Sequence, residues 1–306
     1  MASVIRKVAI LGATGNLGSR IAAALKAAGH EVTAVQRKDS DKPALAGLKS
    51  IKVDYQDKEA LVSTFTGQDV VMSTVPFPKL DSEKTIIAAC LAASVKRYMP
   101  SEYTTMLESP LAINLPIACE KVLIRRYLAT AIPDRTGPTT WTSVNNGAFF
   151  DMGLPYGVLG PNPMRKKAVF HDGGDKPIAV SLLSDIADAV VRLLGSDSIF
   201  EAAANQPVYI CSAAVTERRL TELVAEVTGV DFGAPQHVSV KELIEESDER
   251  MRKGDVSAII NYYFQMMYGE GYKGGDFMEF NWNERLGLRI MDEEELKGAI
   301  RQILSK

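Results

Sequence analysis

The residue types best suited to chemistry lie near the start of the chain. Gly12, Gly15 and Gly18 follow an apolar run at 8–11 at intervals of three, and a helical pattern opens directly after them. Glycines let a backbone turn sharply and approach a ligand closely, while the unpaired N–H groups and positive end of the next helix attract negative charge. Such a turn holds a pyrophosphate, and Gly12, Thr14, Gly15, Asn16 and Leu17 are the residues expected to line it. About twenty positions on, where an NAD-binding fold carries an acid, a second apolar run at 32–35 ends instead in Gln36, Arg37 and Lys38. A carboxylate there repels a 2'-phosphate, whereas a guanidinium binds it through charge-assisted hydrogen bonds of roughly 1.5–3 kcal/mol each. At about 1.4 kcal/mol per tenfold, one or two such bonds favour NADPH by one to three orders of magnitude. Arg37 and Lys38 as mere solvated charges is the competing account, but the missing acid and the added base coincide at the one position where they matter.

A turn of this kind needs alternating strands and helices to present it. Apolar runs at 8–11, 32–35, 51–54, 70–75, 95–99 and 140–144 read as strands, with helical patterns at 19–25, 58–65, 82–93 and 115–131 between them. The first run lacks polar alternation, as a parallel strand covered on both faces should, and the intervening helices imply right-handed crossovers. The expected fold class is α/β, a Rossmann-type doubly wound parallel sheet with a smaller α/β substrate lobe. Ligands bind beyond the carboxyl ends of such strands, which places Thr74, Val75, Pro76 and Phe77, residues 101–103, and residues 145–150 around one crevice. Beyond residue 150 turn residues multiply, as at Pro155, Gly157, Gly160, Pro161 and Pro163. The expected boundaries are 1–154 for the nucleotide-binding domain, with 178–212 returning to it, and 155–177 with 213–306 for the smaller lobe. Helices are expected in that lobe at 216–229, 240–252 and 293–304.

Composition narrows the function. The 306 residues are 46% hydrophobic and 24% charged, with a net charge of −3 that gives no basic field for a phosphodiester backbone, so nucleic acid is not an expected partner. Cys90, Cys119 and Cys211 are odd in number and lie in apolar surroundings, which suits a reducing compartment, and no metal-ligand spacing is present. No apolar stretch approaches a membrane span and the N-terminus does not read as a signal peptide, so the expected location is cytoplasmic. Nothing here decides the oligomeric state; a homodimer is compatible with it.

The opening VAILGATGNLG, the basic end of the second strand, VKRYMPSEY at 95–103 and EKVLIRRYL at 120–128 resemble the NmrA-like, isoflavone-reductase-like family of atypical short-chain dehydrogenases over most of residues 7–150. Enzymes of that family reduce phenylcoumaran benzylic ethers, isoflavones and related phenolic compounds with NADPH. The resemblance implies a lysine near the nicotinamide at Lys121 and an asparagine near the cofactor at Asn145. The Tyr-x-x-x-Lys pair usual in short-chain dehydrogenases is absent, since Ile117 occupies the tyrosine position.

Periodicity speaks to Lys121 separately. If 115–131 is helical, Ile117, Ile124 and Leu128 form an apolar stripe with Lys121 near its edge and Arg126 on the opposite face. A lysine on such a stripe is either a site residue or one whose stem covers the core while its ammonium reaches water. As a site residue it acts either as a base, which needs a pKa depression of roughly three units, or as a charged group that anchors ribose and protonates substrate oxygen. Tyr103 is a second proton-donor candidate, or else a boundary aromatic with a wet hydroxyl. Ser101 and Glu102 shape the crevice or satisfy backbone groups, and no chemistry is assigned to them. Phe77, Tyr103, Asn146, Phe149, Phe150 and Tyr263 are the residues expected to meet a hydrophobic substrate, with ordinary core packing as the alternative for the aromatics. His30 and His171 read as surface residues. Two functions follow: an NADPH-dependent reductase of a small hydrophobic, phenolic or polyketide-like carbonyl, enone or benzylic compound with Lys121 assisting proton transfer, or an NADP(H) sensor that binds without turnover. A lysine at the enzyme position favours the reductase.

Overall fold

The computed structural model describes residues 5–272 and 274–305. In chain order the first elements are β1 (Lys7–Leu11), α1 (Asn16–Ala27), β2 (Glu31–Arg37), β3 (Lys49–Val53), α2 (Lys58–Phe65) and β4 (Val70–Ser73). There follow α3 (Leu80–Ala92), β5 (Arg97–Met99), α4 (Cys119–Ala131), β6 (Thr140–Asn145), β7 (Ala148–Phe149), α5 (Phe150–Gly153), β8 (Pro161–Asn162) and β9 (Lys167–His171). Next come β10 (Ile178–Ser181), α6 (Leu183–Gly195), α7 (Asp197–Ala202), β11 (Gln206–Tyr209), β12 (Ala213–Val215) and α8 (Glu217–Thr228). The chain ends with β13 (Gln236–Val238), α9 (Val240–Arg252), α10 (Tyr262–Tyr268), α11 (Asn283–Leu286) and α12 (Glu293–Leu304). It forms two compact units, one of Met1–Tyr103, Cys119–Asn145 and Ser184–Val208, the other of Thr104–Ala118, Asn146–Leu183 and Tyr209–Lys306.

The first unit is built on a seven-stranded sheet in the order β11-β6-β5-β4-β1-β2-β3, parallel in every pairing from β6 to β3. The chain runs outward from β1 through β2 and β3, then crosses back to β4 on the other side of β1. The carboxyl ends of β1 and β4 therefore flank the point where strand order reverses, the place where ligands bind in such sheets. Both strands are buried nearly throughout, because helices cover them. Leu61 and Phe65 of α2, Ile86, Ile87 and Cys90 of α3, and Ile124 and Leu128 of α4 pack in one cluster with Leu11, Val35, Val71, Tyr98 and Trp141 of the sheet. Each large member stabilises the unit by about 1.5–3 kcal/mol relative to exposure.

Two buried polar groups interrupt that apolar interior. Arg97 of β5 donates from Nε to Thr140 Oγ1 (2.6 Å), from Nη1 to Thr142 Oγ1 (2.6 Å) and from Nη2 to the Phe200 carbonyl (2.8 Å), and its guanidinium lies 4.0 Å from the centre of the Phe200 ring. Glu83 of α3 receives hydrogen bonds from Tyr98 and, at 3.3 Å, from Ser73 at the end of β4. Burial pushes the Glu83 carboxyl up from 4.5 to about 7, against the opposing pull of those hydrogen bonds. The folded state thus holds a proton that the unfolded chain releases near pH 4.5, so stability falls as pH rises from there to about 7 and the full cost is present above it. Glu83→Gln is expected to raise stability by about 3 kcal/mol at pH 8 and by little at pH 4, as read from urea unfolding at both values. An unchanged or lower stability at pH 8 contradicts this account of Glu83.

The expected helix at 115–131 begins four residues late. Leu115 precedes Pro116 and is extended (φ −90°, ψ 124°), because the proline ring crowds a helical conformation at the residue before it. Pro110–Asn114 instead forms a short 3-10 turn capped by Ser109. Ile117 consequently lies outside α4, although it is buried.

The second unit holds two three-stranded sheets, β12-β10-β7 and β13-β9-β8. Ile178–Ser181 was expected to return to the large sheet with the helix after it; the strand pairs instead with β7 and β12, and only the helix and β11 join the first unit. Phe150, Leu154, Phe170, Val180, Leu220 and Ile300 are among the residues of its core. The helices expected at 240–252 and 293–304 are α9 and α12, and α12 starts with a capping box between Asp292 and Glu295.

His171 is not a surface residue. It ends β9 buried, its Nδ1 2.6 Å from Glu217 Oε1 and its main-chain N–H donating to Glu217 Oε2 at 2.6 Å. Its ring stacks on Phe264 at 4.0 Å and on Tyr268 at 5.6 Å. A buried carboxylate at the first turn of α8 supplies the partner that makes burial of the imidazole tolerable.

Candidate active site

The glycine turn follows from contacts that leave no room for side chains. Gly12 has φ +78°, and a Cβ there would meet the Thr74 main chain and Oγ1 at 3.0 Å. A Cβ on Gly18 would lie 2.3 Å from the Gly12 carbonyl oxygen and 2.6 Å from Thr74 Oγ1. The turn therefore closes against β4, where Thr74 donates through both N–H and Oγ1 to the Leu11 carbonyl at 2.9 Å. Among the described residues no side chain caps the first turn of α1, and Asn16 is exposed with Thr14 and Leu17 half-buried beside it. Tyr55, which the sequence did not single out, donates to the Val35 carbonyl at 3.0 Å and takes a hydrogen bond from the Gly12 main chain, fastening the turn to the end of β2. There Arg37 and Lys38 are exposed, and Arg37 makes only a loose contact of 3.7 Å with Asp39. Solvated ion pairs of that kind are worth little and yield readily to a phosphate.

A second group of residues assembles on the next strands. Ser101 donates to the Val75 carbonyl at 2.8 Å, drawing the chain after β5 to the chain after β4. Glu102 is almost fully buried and forms a two-pronged pair with Arg125 of α4, Nε to Oε1 at 2.9 Å and Nη2 to Oε2 at 2.5 Å. Asn145, the last residue of β6, donates from Nδ2 to Glu102 Oε2 at 3.1 Å. Lys121, one helical turn before Arg125 and half-buried, donates from Nζ to the Glu102 carbonyl. Burial alone would raise the Glu102 carboxyl, but the Arg125 charge and the hydrogen bonds from Arg125, Ser143 and Asn145 hold it below the usual carboxylate range. Burial pushes the Lys121 ammonium down to about 8, partly offset by the Glu102 charge.

Two buried polar atoms here have no hydrogen-bond partner among the described residues: Asn145 Oδ1 and the Tyr103 hydroxyl. Tyr103 also has φ +35° and Phe77, 59% exposed, has φ +52°, conformations that bulky side chains rarely adopt and that cluster at functional sites. Burial raises the Tyr103 hydroxyl above its usual range. An orphaned acceptor, an orphaned donor, a glycine turn that admits no side chains and two exposed basic residues, Arg37 and Lys38, fit a dinucleotide that carries phosphates, hydroxyls and a carboxamide.

The structure thus joins Lys121 and Asn145 through Glu102, and Gly12 with Thr74, as parts of the first unit. Pro76 is exposed and Val75 half-buried. The remaining expected residues belong to the second unit. Asn146 is buried with Oδ1 unpartnered, Phe149 is half-buried, and Tyr263 is half-buried with its hydroxyl bonded to Thr104. Phe150 is a core residue with no exposed surface, so it lines no site. Glu102 is the member to which sequence reasoning assigned no chemical role; a carboxylate three residues after an apolar strand, with an arginine four positions past the candidate lysine, was the available signal.

A model of the NmrA-like family matches residues 5–146. The chain is 32% identical over 266 residues to the isoflavone reductase homolog of Zea mays, covering 80% of this chain and 82% of that one. It is 27% identical over 304 residues to an oxidoreductase, aprR, of Aspergillus flavus, covering 96% and 98%. Among solved structures, AtPrR2 with NADP+ and (+)pinoresinol superposes with a TM-score of 0.73 at 18% identity, covering 97% of this chain and 99% of that chain. That likeness is one of fold.

Proposed function

Since the chain belongs to the NmrA-like family, among the isoflavone-reductase-like oxidoreductases, we propose that it is an NADPH-dependent reductase of a small hydrophobic substrate. The substrate class is an aromatic, phenolic or polyketide-like carbonyl, enone or benzylic compound. The observation that carries the proposal is Lys121: burial lowers its ammonium to about 8, and it is tied to the carbonyl of Glu102, whose carboxylate binds an asparagine with an unpaired oxygen. A sensor that only binds NADP(H) has no use for such a group.

NADPH, when bound, supplies the hydride. The uncapped start of α1 and the glycine turn would hold its pyrophosphate, and Arg37 with Lys38 would hold its 2'-phosphate. Asn145 Oδ1 would accept a hydrogen bond from it. Lys121 carries three N–H donors, of which one is directed to the Glu102 carbonyl, and it delivers a proton to the substrate oxygen as negative charge builds there. Solvent returns that proton to Lys121, a half-buried residue. The Tyr103 hydroxyl, buried without a partner, donates to the same oxygen, and the exposed ring of Phe77 offers an apolar wall to an aromatic substrate.

Titrating the protein with NADPH and NADH, and then following NADPH oxidation with phenolic enones, aldehydes, quinones and benzylic ethers, tests the proposal directly. NADPH-selective binding with turnover of any of these compounds is expected; tight binding with no turnover overturns it in favour of the sensor. Arg37→Ala is expected to weaken NADPH about tenfold to a hundredfold and to leave NADH within about twofold. Equal weakening of both nucleotides removes Arg37 from 2'-phosphate recognition.

A further inference from the structure

Glu102 gathers Lys121, Arg125, Ser143 and Asn145 around itself, and each of its side-chain and carbonyl oxygens already has a protein partner. Its main-chain carbonyl receives Lys121 Nζ, and its carboxylate receives Arg125 at 2.9 and 2.5 Å and Asn145 Nδ2 at 3.1 Å. Ser143, two residues before Asn145 on β6, also bonds to it and accepts weakly from Asn145 Nδ2 at 3.4 Å. A carboxylate this buried has strong directional consequences, because each neighbour must present a donor to it.

For Asn145 the consequence is an orientation. An amide facing a carboxylate must turn its NH2 inward, since two acceptors in contact repel. Oδ1 is then forced to the opposite side, where it is buried and without a partner. For Lys121 the consequence is a position, since the ammonium is tied to the chain at the very residue that precedes Tyr103. We propose that Glu102 is the positioning residue of the site, its carboxylate fixing Asn145 as an acceptor and its carbonyl fixing Lys121 as a donor for one bound molecule. Arg125 completes the device by holding the carboxylate from the side of α4. The proposal rests on the reductase reading for the identity of the bound molecule, but not for the arrangement itself.

The decisive measurement is the pH dependence of Lys121 acetylation by acetic anhydride, followed peptide by peptide in the intact protein, together with NADPH affinity. The wild-type midpoint is expected near pH 8. In Glu102→Gln the carboxylate that favours the ammonium is gone, so the midpoint is expected to move down by about one unit. NADPH affinity is expected to fall about tenfold, because the Asn145 amide is free to turn. Glu102→Gln with Arg125→Met removes both charges and serves if the single variant does not fold; loss of the guanidinium offsets loss of the carboxylate at Lys121, so in it the expected readout is the tenfold fall in NADPH affinity. A midpoint unchanged in Glu102→Gln, or NADPH affinity unchanged in whichever of these folds, overturns the proposal, since a purely structural glutamate would affect stability without loosening the bound nucleotide. If the wild-type protein binds no NADPH, the reductase reading fails by itself, and the acetylation midpoints still decide the role of Glu102.

Discussion

Replacing Lys121 with alanine is expected to lower NADPH oxidation by about two to four orders of magnitude, the usual contribution of a positioned proton donor, while NADPH affinity stays within about tenfold. The proposed geometry spends one N–H of this ammonium on the Glu102 carbonyl and directs the rest to the substrate. As the donor is the protonated form, wild-type turnover should hold up to about pH 8 and fall above it, following a group that burial has depressed from 10.5. Lys121→Arg separates two roles that alanine merges. Arginine keeps the charge but does not give up a proton at these pH values, so binding without turnover is expected if Lys121 transfers a proton, and retained turnover if charge alone matters. Activity within tenfold of wild type in Lys121→Ala would remove the residue from the chemistry.

Arg125→Met is expected to cost about 3–5 kcal/mol of stability at pH 8, the loss typical of a buried ion pair broken on one side. Arg125 is 16% exposed and Glu102 2%, so the abandoned carboxylate has almost no water to turn to. The sign with pH is specific. In the wild-type protein Glu102 is held below its usual range, and its contribution is present above that range and lost as pH falls through it. In the variant burial dominates, the carboxyl titrates upward, and the penalty grows as pH rises. Urea unfolding should therefore show the variant nearest to wild type in mild acid and furthest from it at alkaline pH. A loss under 1 kcal/mol at pH 8 would mean that the pair is solvated.

What the sequence disclosed and what it hid divide along physical lines. The glycine turn and β1 are legible because a buried parallel strand and a Cβ-free turn leave few alternative residue choices. Helices α9 and α12 are legible because Ser239 and Asp292 cap them and, in α12, Leu296, Ala299, Ile300 and Ile303 form a buried apolar stripe. The start of α4 was misplaced because the apolar pattern continues through Pro116, and only the restriction that proline puts on Leu115 ends the helix there. His171 was misplaced for a different reason: its partner is 46 residues away on α8, and no local pattern tells a glycine-rich turn that such a carboxylate will arrive. Glu102 belongs to the same class, since Arg125 and Asn145 reach it from elements 23 and 43 residues distant. Polar partners across a fold carry no periodicity, so the chemistry of the site was visible in its types but not in its wiring.

The guanidinium of Arg97 has a bearing on how the nucleotide-binding half comes into being. Two of its acceptors, on Thr140 and Thr142, are made early, but the third and the aromatic ring that covers it belong to residue 200. A ribosome that has released only the stretch matched by the family, residues 5–146, has produced a sheet with a cation at its edge and nothing yet to close over it. Excised at that point for grafting or expression, the stretch would lack β11 as well as its lid. The smallest self-sufficient version of the first unit is therefore a chain of at least two hundred residues that carries two segments of the second unit, 104–118 and 146–183, within it.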